Sequence, residues 1–408
     1  MNKEIHSGIM LTLLLICMLT LAFKIQPAKA SGTIYIRADG SIDPPTAPVF
    51  TVDNVSYTFT DNIYDDILIE RDNIVVDGGG YILQGTGSGT GINLTGRNNV
   101  MIKNMEVKAF SYGIYLYFSS NNTIRQNNIA DNRLSGISLH KSSTNSISEN
   151  HITANYFNGV FLSRSSDYNN IIGNDITNTD WWGVRLYSSS HNKIHRNNIT
   201  LNGVENQGDG LQLYGSSNHN RIFENNIVGN FRGIRLLDSP DNSLYHNNLR
   251  NSKQAYSMNG MNVWDDGYPS GGNYWSNHVT VDNYSGINQD EPGSDGIVDE
   301  PYLIDNDNQD NYPLMEPYSP PPRTIDELKT EIEELGSDGG IDNLGVVRSL
   351  LAKLNAAQKL VDKGKADEAK SILKDDFIPQ VQNLTDIHIT KEAAELLIQS
   401  VGYILSNL

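Results

Sequence analysis

Gly91, Gly113, Gly136, Gly159, Gly183, Gly210 and Gly233 recur at intervals of 22, 23, 23, 24, 27 and 23 residues. Each opens a unit that reads roughly G-[IVL]-x-L-x-x-S-x-x-N-x-I-x-x-N-x-I-x-x-N. Within a unit, apolar residues alternate over three short stretches separated by Asn, Ser or Gly. That is the period of two that marks strands, broken by corners. A unit of this size cannot bury its apolar face alone, so it must stack on copies of itself. Three strands and three corners describe one triangular coil of a parallel β-helix. A leucine-rich repeat has a similar length but needs a fuller Leu pattern than these units carry.

The abundance of Asn follows from the same geometry. A buried amide costs free energy unless it is hydrogen-bonded. Asn122, Asn145, Asn169, Asn192, Asn220 and Asn242 nevertheless share one repeat position, and Asn127, Asn150, Asn174, Asn197, Asn225 and Asn247 share another. Stacked coils lie about 4.8 Å apart, so each column is expected to form an amide ladder along the stack. The same Asn are expected to take the left-handed backbone conformation that corners need. Ile124, Ile147, Ile171, Ile194, Ile222 and Leu244 should line the dry interior.

Composition narrows the partners. Residues 1–30 read as a secretory signal peptide: Lys3, an apolar run from Ile9 to Phe23, then Ala28-Lys29-Ala30 before Ser31. The expected location is therefore secreted, cell-surface or an equivalent periplasmic space, with no membrane insertion after cleavage. Cys17, the chain's one cysteine, lies in this leader. The mature chain would have neither disulfides nor thiolate chemistry. A net charge of −18 argues against nucleic acid and anionic lipid as partners.

The repeats resemble those of the right-handed parallel β-helix proteins of the carbohydrate-binding and sugar-hydrolase (pectin-lyase-like) superfamily, and within it the NosD-like secreted archaeal type. "TIYIRADGSIDPPTAP" and "DNIVVDGGGYILQGTGSGTGI" resemble that group's N-terminal coils. "GGNYWSNH" and "DGIVDEPYLIDNDNQDNYPLMEPY" resemble its closing segment. The resemblance implies a mainly β, single-stranded right-handed β-helix. Residues 31–62 would cap its start, 63–260 would form the repeats and 261–318 would form an acidic cap. The superfamily hosts lyases, hydrolases, epimerases, adhesins and copper-maturation proteins, so the fold does not choose an activity. Beyond the Pro-rich linker 319–323 the period changes to about 3.6. Leu350, Leu351, Leu354, Ala357 and Leu360 form one helical stripe, and Thr390 is placed to cap a last helix. Residues 324–408 resemble a FIMAH-type helical bundle module, which implies an accessory role.

The first strand of each coil points alternate residues outward. Its outward pairs are Tyr115/Tyr117, Ser138/His140, Phe161/Ser163, Arg185/Tyr187, Gln212/Tyr214 and Arg235/Leu237. Five of these twelve are aromatic, against Phe223 and Tyr245 alone on the second strands, which marks the first face as a platform for sugar rings. The corners before it add Trp181 and Trp182, and then Asp209 in the enlarged corner "NGVENQGD". Binding of an extended polysaccharide or cell-surface glycan is the expected function. A lyase, hydrolase or epimerase on the same face is the alternative, with Asp180, Asp209, Arg185 and His140 as catalytic candidates. Between Gln254 and Pro322 there are twelve acids and no Lys or Arg. This segment reads either as a Ca²⁺ site through Asp295, Asp299, Asp305 and Asp307, or as a solvated acidic surface. The NosD resemblance adds copper handling through Met258, Met261 and His278 as a third reading.

Overall fold

The computed structural model describes residues 32–278, 280–322 and 324–408. The expected signal peptide lies outside the described residues. The chain divides into two units between Tyr318 and Ser319, each with its own core.

The first unit is a coil stack. Three sheets of eleven, nine and ten strands run along it, and neighbours within a sheet come from successive coils. Pairing is parallel and in register: Ile114 meets Ile137, which meets Val160, then Val184, Leu211 and Ile234. Strand Ile34–Ile36 already pairs in parallel with Ile67–Ile69, so the stack begins inside the segment read as its cap. The expected Ile column is fully buried from Ile124 to Leu244.

Each unit opens on Gly for a steric reason. A Cβ on Gly159 would stand 2.6 Å from the Gly183 carbonyl oxygen and 2.6 Å from Ile176 Cγ2. Neighbouring coils approach too closely there for any side chain.

Both Asn columns form ladders. Asn122 donates from its backbone N and its Nδ2 to Asn145 Oδ1, at 2.9 and 3.0 Å. Asn150 does the same to Asn174, at 3.0 and 2.9 Å. A third column, Asn132, Asn155, Asn202, Asn230 and Asn251, behaves alike but is interrupted by Thr179. Serines form a fourth, in which the backbone N of Ser119 donates to Ser142 Oγ and so on along the stack.

One expectation fails. The ladder Asn do not carry the left-handed backbone; the residue before each of them does. Asn121, Thr144, Tyr168, His191, His219 and Asp241 have φ between 55° and 59°, as do Gln126, Glu149 and Arg196 before the second column. The ladder side chain must point inward to find its partners, whereas the left-handed residue points out and tolerates many side chains.

The second unit is helical: Ile325–Asp338, Leu344–Val361, a helix from Ala366 to Leu384 and Lys391–Asn407. Thr390 caps the last as expected, accepting from the Ala393 N–H. Residues Ile372–Phe377 wind as a π-turn just before Pro379, which has no N–H to give the turn behind it. Helix Ile325–Asp338 went unread in the sequence, although Thr324 followed three residues on by Glu327 is a capping signature. No helix among the described residues is long and apolar enough to cross a membrane.

Candidate functional site

The outer face of the first sheet carries three side chains per strand. The residue before each Gly joins the two outward positions read from sequence. Trp182 and Asp209, read as corner residues, are therefore in-register strand partners. From Tyr112, Tyr115 and Tyr117 the three columns run to Lys253, Tyr256 and Met258. Asp209 is the sole carboxylate among them.

On this face Asp209 is fully buried. Its Oδ1 accepts from Arg232 Nη1 at 2.7 Å. Its Oδ2 accepts from Gln212 Nε2 at 2.9 Å and Trp182 Nε1 at 3.1 Å. Arg235 Nη1 lies 4.0 Å away. Burial pushes the Asp209 carboxyl up, and Arg232 and Arg235 pull it back. Every hydrogen bond it receives comes from a donor, which is the environment of a carboxylate anion.

Arg185 donates from Nε to Gln212 Oε1 at 2.9 Å. Its guanidinium carbon lies 3.9 Å from the Trp182 ring centroid and 4.5 Å from that of Tyr214. Burial lowers its pKa. Tyr187 and Tyr214 stack on each other, with centroids 4.5 Å apart and planes 23° from parallel. Their separation is close to the coil spacing, so the rings face along the stack. They cover one another and turn their edges toward the groove. The sequence reading pictured ring faces as the platform; the structure instead packs Trp182 and Tyr214 beneath a guanidinium.

Tyr115 and Tyr117 lie at 6.4 Å, with Phe118 against Tyr117. Trp181, Trp182 and Phe157 cluster at its edge. Phe161 has Arg185 5.8 Å from its ring. His140 faces Ser163 Oγ at 3.1 Å through Nδ1, and burial with Arg164 and Lys141 lowers its pKa.

Asp180 stands at the corner, exposed, beside a cavity of about 340 Å³ that Thr179, Glu205 and Asn206 also line. Burial, then the Glu205 charge, raises its pKa. Its charged neighbour is thus Glu205, while Asp209 is saturated by donors on the sheet face.

The second sheet also carries a ring stack, His195, Phe223 and Tyr245, but His195 and Tyr245 are buried. Arg232 and the buried role of Asp209 were missed in the sequence. The signal was present, since a residue before a strand-opening Gly can itself belong to the strand.

The acidic segment uses its carboxylates locally. Asp299 accepts from the backbone N of Asn283 and Tyr284, at 3.1 and 3.0 Å. Asp295 accepts from Gln289 Nε2 at 3.0 Å and Ile297 N at 3.1 Å. Asp305 accepts from Asp307 N at 2.8 Å and from Asn308 Nδ2. Among the described residues, no three His, Cys, Asp or Glu side chains are grouped as metal ligands would be. Met258 and Met261 are exposed, and His278 Nε2 lies 2.9 Å from the Glu300 carbonyl oxygen.

Residues 90–249 match the family model described as "Right handed beta helix region", and residues 325–406 match that of the FIMAH domain. No curated protein matches the chain. Similar solved structures include the periplasmic alginate epimerase AlgG, at 19% identity over 57% of this chain and 72% of that one, with TM-score 0.41 in one variant. A pectate lyase aligns at 16% identity over 63% and 73%, with TM-score 0.36. The A-module of an Azotobacter vinelandii mannuronan C-5 epimerase aligns at 14% identity over 58% and 90%, also with TM-score 0.36.

Proposed function

We propose that this right-handed β-helix protein with a C-terminal FIMAH domain binds an extended polysaccharide along the outer face of its first sheet. The observation that carries the reading is the register of that face. Three unbroken columns from Tyr112, Tyr115 and Tyr117 set phenol, indole, guanidinium and amide groups at matching positions on successive coils. Such a row repeats along one axis, as a linear glycan does, and offers hydrogen-bond donors beside apolar ring edges.

The test is a glycan array probed with the purified protein, followed by titration of the best polysaccharide. Tyr187→Ala/Tyr214→Ala removes two phenols and should weaken binding by about 5- to 150-fold, from two hydrogen bonds of roughly 0.5–1.5 kcal/mol each. It should cost less stability than Ile194→Ala in the core, for which about 2–5 kcal/mol is expected. Failure to bind any polysaccharide defeats the proposal. Steady release of shorter chains would move the assignment to an enzyme on the same face.

A further inference from the structure

We infer that the part of this face around Asp209 is a subsite for a negatively charged sugar, whose carboxylate or sulfate group is received by Arg185 and Arg235. The inference rests on the polysaccharide reading above and narrows it to acidic chains.

Three guanidiniums, Arg185, Arg232 and Arg235, gather around one carboxylate. Arg232 neutralises Asp209 directly at 2.7 Å. The Asp209 Oδ2 atom is already filled by Trp182 and Gln212, so Arg235 gets only a 4.0 Å contact. Arg235 Nε is buried without a hydrogen-bond partner. Arg185 bonds to a neutral amide and stacks on neutral rings. Three guanidiniums therefore share the single charge of Asp209 on this face, which leaves two positive charges short of a counter-charge.

The columns do not supply one. One coil on, the in-register partners of Arg232 and Arg235 are Lys253 and Tyr256; two coils back from Asp209 and Gln212 they are Asn158 and Phe161. This depletion occurs in a chain with 48 Asp and Glu against 30 Lys and Arg. Packing uncompensated cations on a half-buried face costs free energy unless an anion arrives. A guanidinium fork fits the planar carboxylate of a uronic acid or the oxygens of a sulfate ester. Gln212 ties Arg185 to the buried Asp209, so the geometry of that guanidinium is set before any ligand binds.

The experiment measures binding of the purified full-length protein to three probes: polygalacturonate, the same polymer with its carboxyl groups reduced to alcohols, and dextran sulfate. Acidic probes should bind at least about tenfold more tightly than the reduced polymer, and Arg235→Gln should remove most of that difference. Lys193→Gln, an equal change of charge on the second sheet, should leave it intact. Melting curves of the two variants should coincide with that of the parent, which separates lost binding from lost fold. Preference for polygalacturonate or for dextran sulfate, which has no carboxyl group, tells the carboxylate source from the sulfate source. Equal affinity for polygalacturonate and its reduced form overturns the subsite while polysaccharide binding stands. No binding to any polysaccharide overturns both.

Discussion

Asn150 illustrates how much one side chain does in this stack. Its Nδ2 donates to Asn174 Oδ1 and the Ile124 carbonyl, and its Oδ1 accepts from the N and Nδ2 of Asn127. It is buried, so removal strands donors above and an acceptor below. Asn150→Leu should cost about 1–3 kcal/mol, read as a lower melting midpoint, whereas Asn128→Ser, at an exposed position one residue past the ladder Asn127, should stay within about 0.5 kcal/mol. Equal melting of the two variants would remove the ladder from the account of stability. The strand-opening Gly makes a separate prediction. Gly159→Ala should destabilise by about 1–3 kcal/mol, because the Gly183 carbonyl oxygen that its Cβ would meet belongs to backbone and cannot swing aside. A neutral result would show that coils can part locally at that corner.

At the scale of elements, the ladders explain the acidic segment better than its charge count does. Each ladder donates in one direction, toward the C-terminal coil, so its last member needs an acceptor. Asn262 ends the first column and donates to Asn308 Oδ1, with Asn308 in turn bonded to Asp305. Asn251 ends the third on Gln254 Oε1. Asn273 ends the second on Asp310 Oδ2 at 2.7 Å, where Trp275 Nε1 also donates at 2.8 Å. A buried carboxylate is a pure acceptor and so a natural terminator. Burial nevertheless pushes the Asp310 carboxyl up to about 7. With a folded value above the unfolded value near 4, this group's contribution is full below about pH 4 and is lost as pH rises through about 7. Hydrogen exchange at the Asn273 and Tyr312 amides should therefore quicken between about pH 4 and pH 7, relative to amides in the middle of the stack. Asp310→Asn should flatten that trend. Parallel profiles in both proteins would sink this account of the segment.

At the scale of the whole molecule, the two cores share no residue. The coil stack draws its stability from long-range pairing, the helical unit from local helices around Leu350, Leu354, Phe377 and Leu397. Calorimetry should resolve two unfolding transitions, and polypeptides 31–318 and 319–408 should each fold when made separately. One indivisible transition would contradict the division. The helical part was only partly legible: the stripe from Leu350 and the Thr390 cap could be read, while helix Ile325–Asp338 was passed over although Ile325, Leu328, Ile332 and Leu335 form a stripe at helical spacing.

The sequence by itself determined the coil. A period of 22 to 27 residues with inward Ile and Asn at recurring positions leaves one way to bury both, and the Ile column and the first two ladders stand where that logic puts them. Local pattern encodes what repeats, because every coil meets the same neighbours. What only the tertiary structure decided is what does not repeat. Asp209 lies beside Trp182, Arg232 and Arg235 because coils of unequal length are brought into register, and sequence distance hides that. Ring orientation is likewise settled by contacts between coils: Tyr187 and Tyr214 turn their faces to each other and Arg185 packs against Tyr214, which alternation along a strand cannot foretell. The left-handed corners follow the same division, since hydrogen-bond partners on the next coil, and not the residue's own preference, fix which of two adjacent positions takes the positive φ.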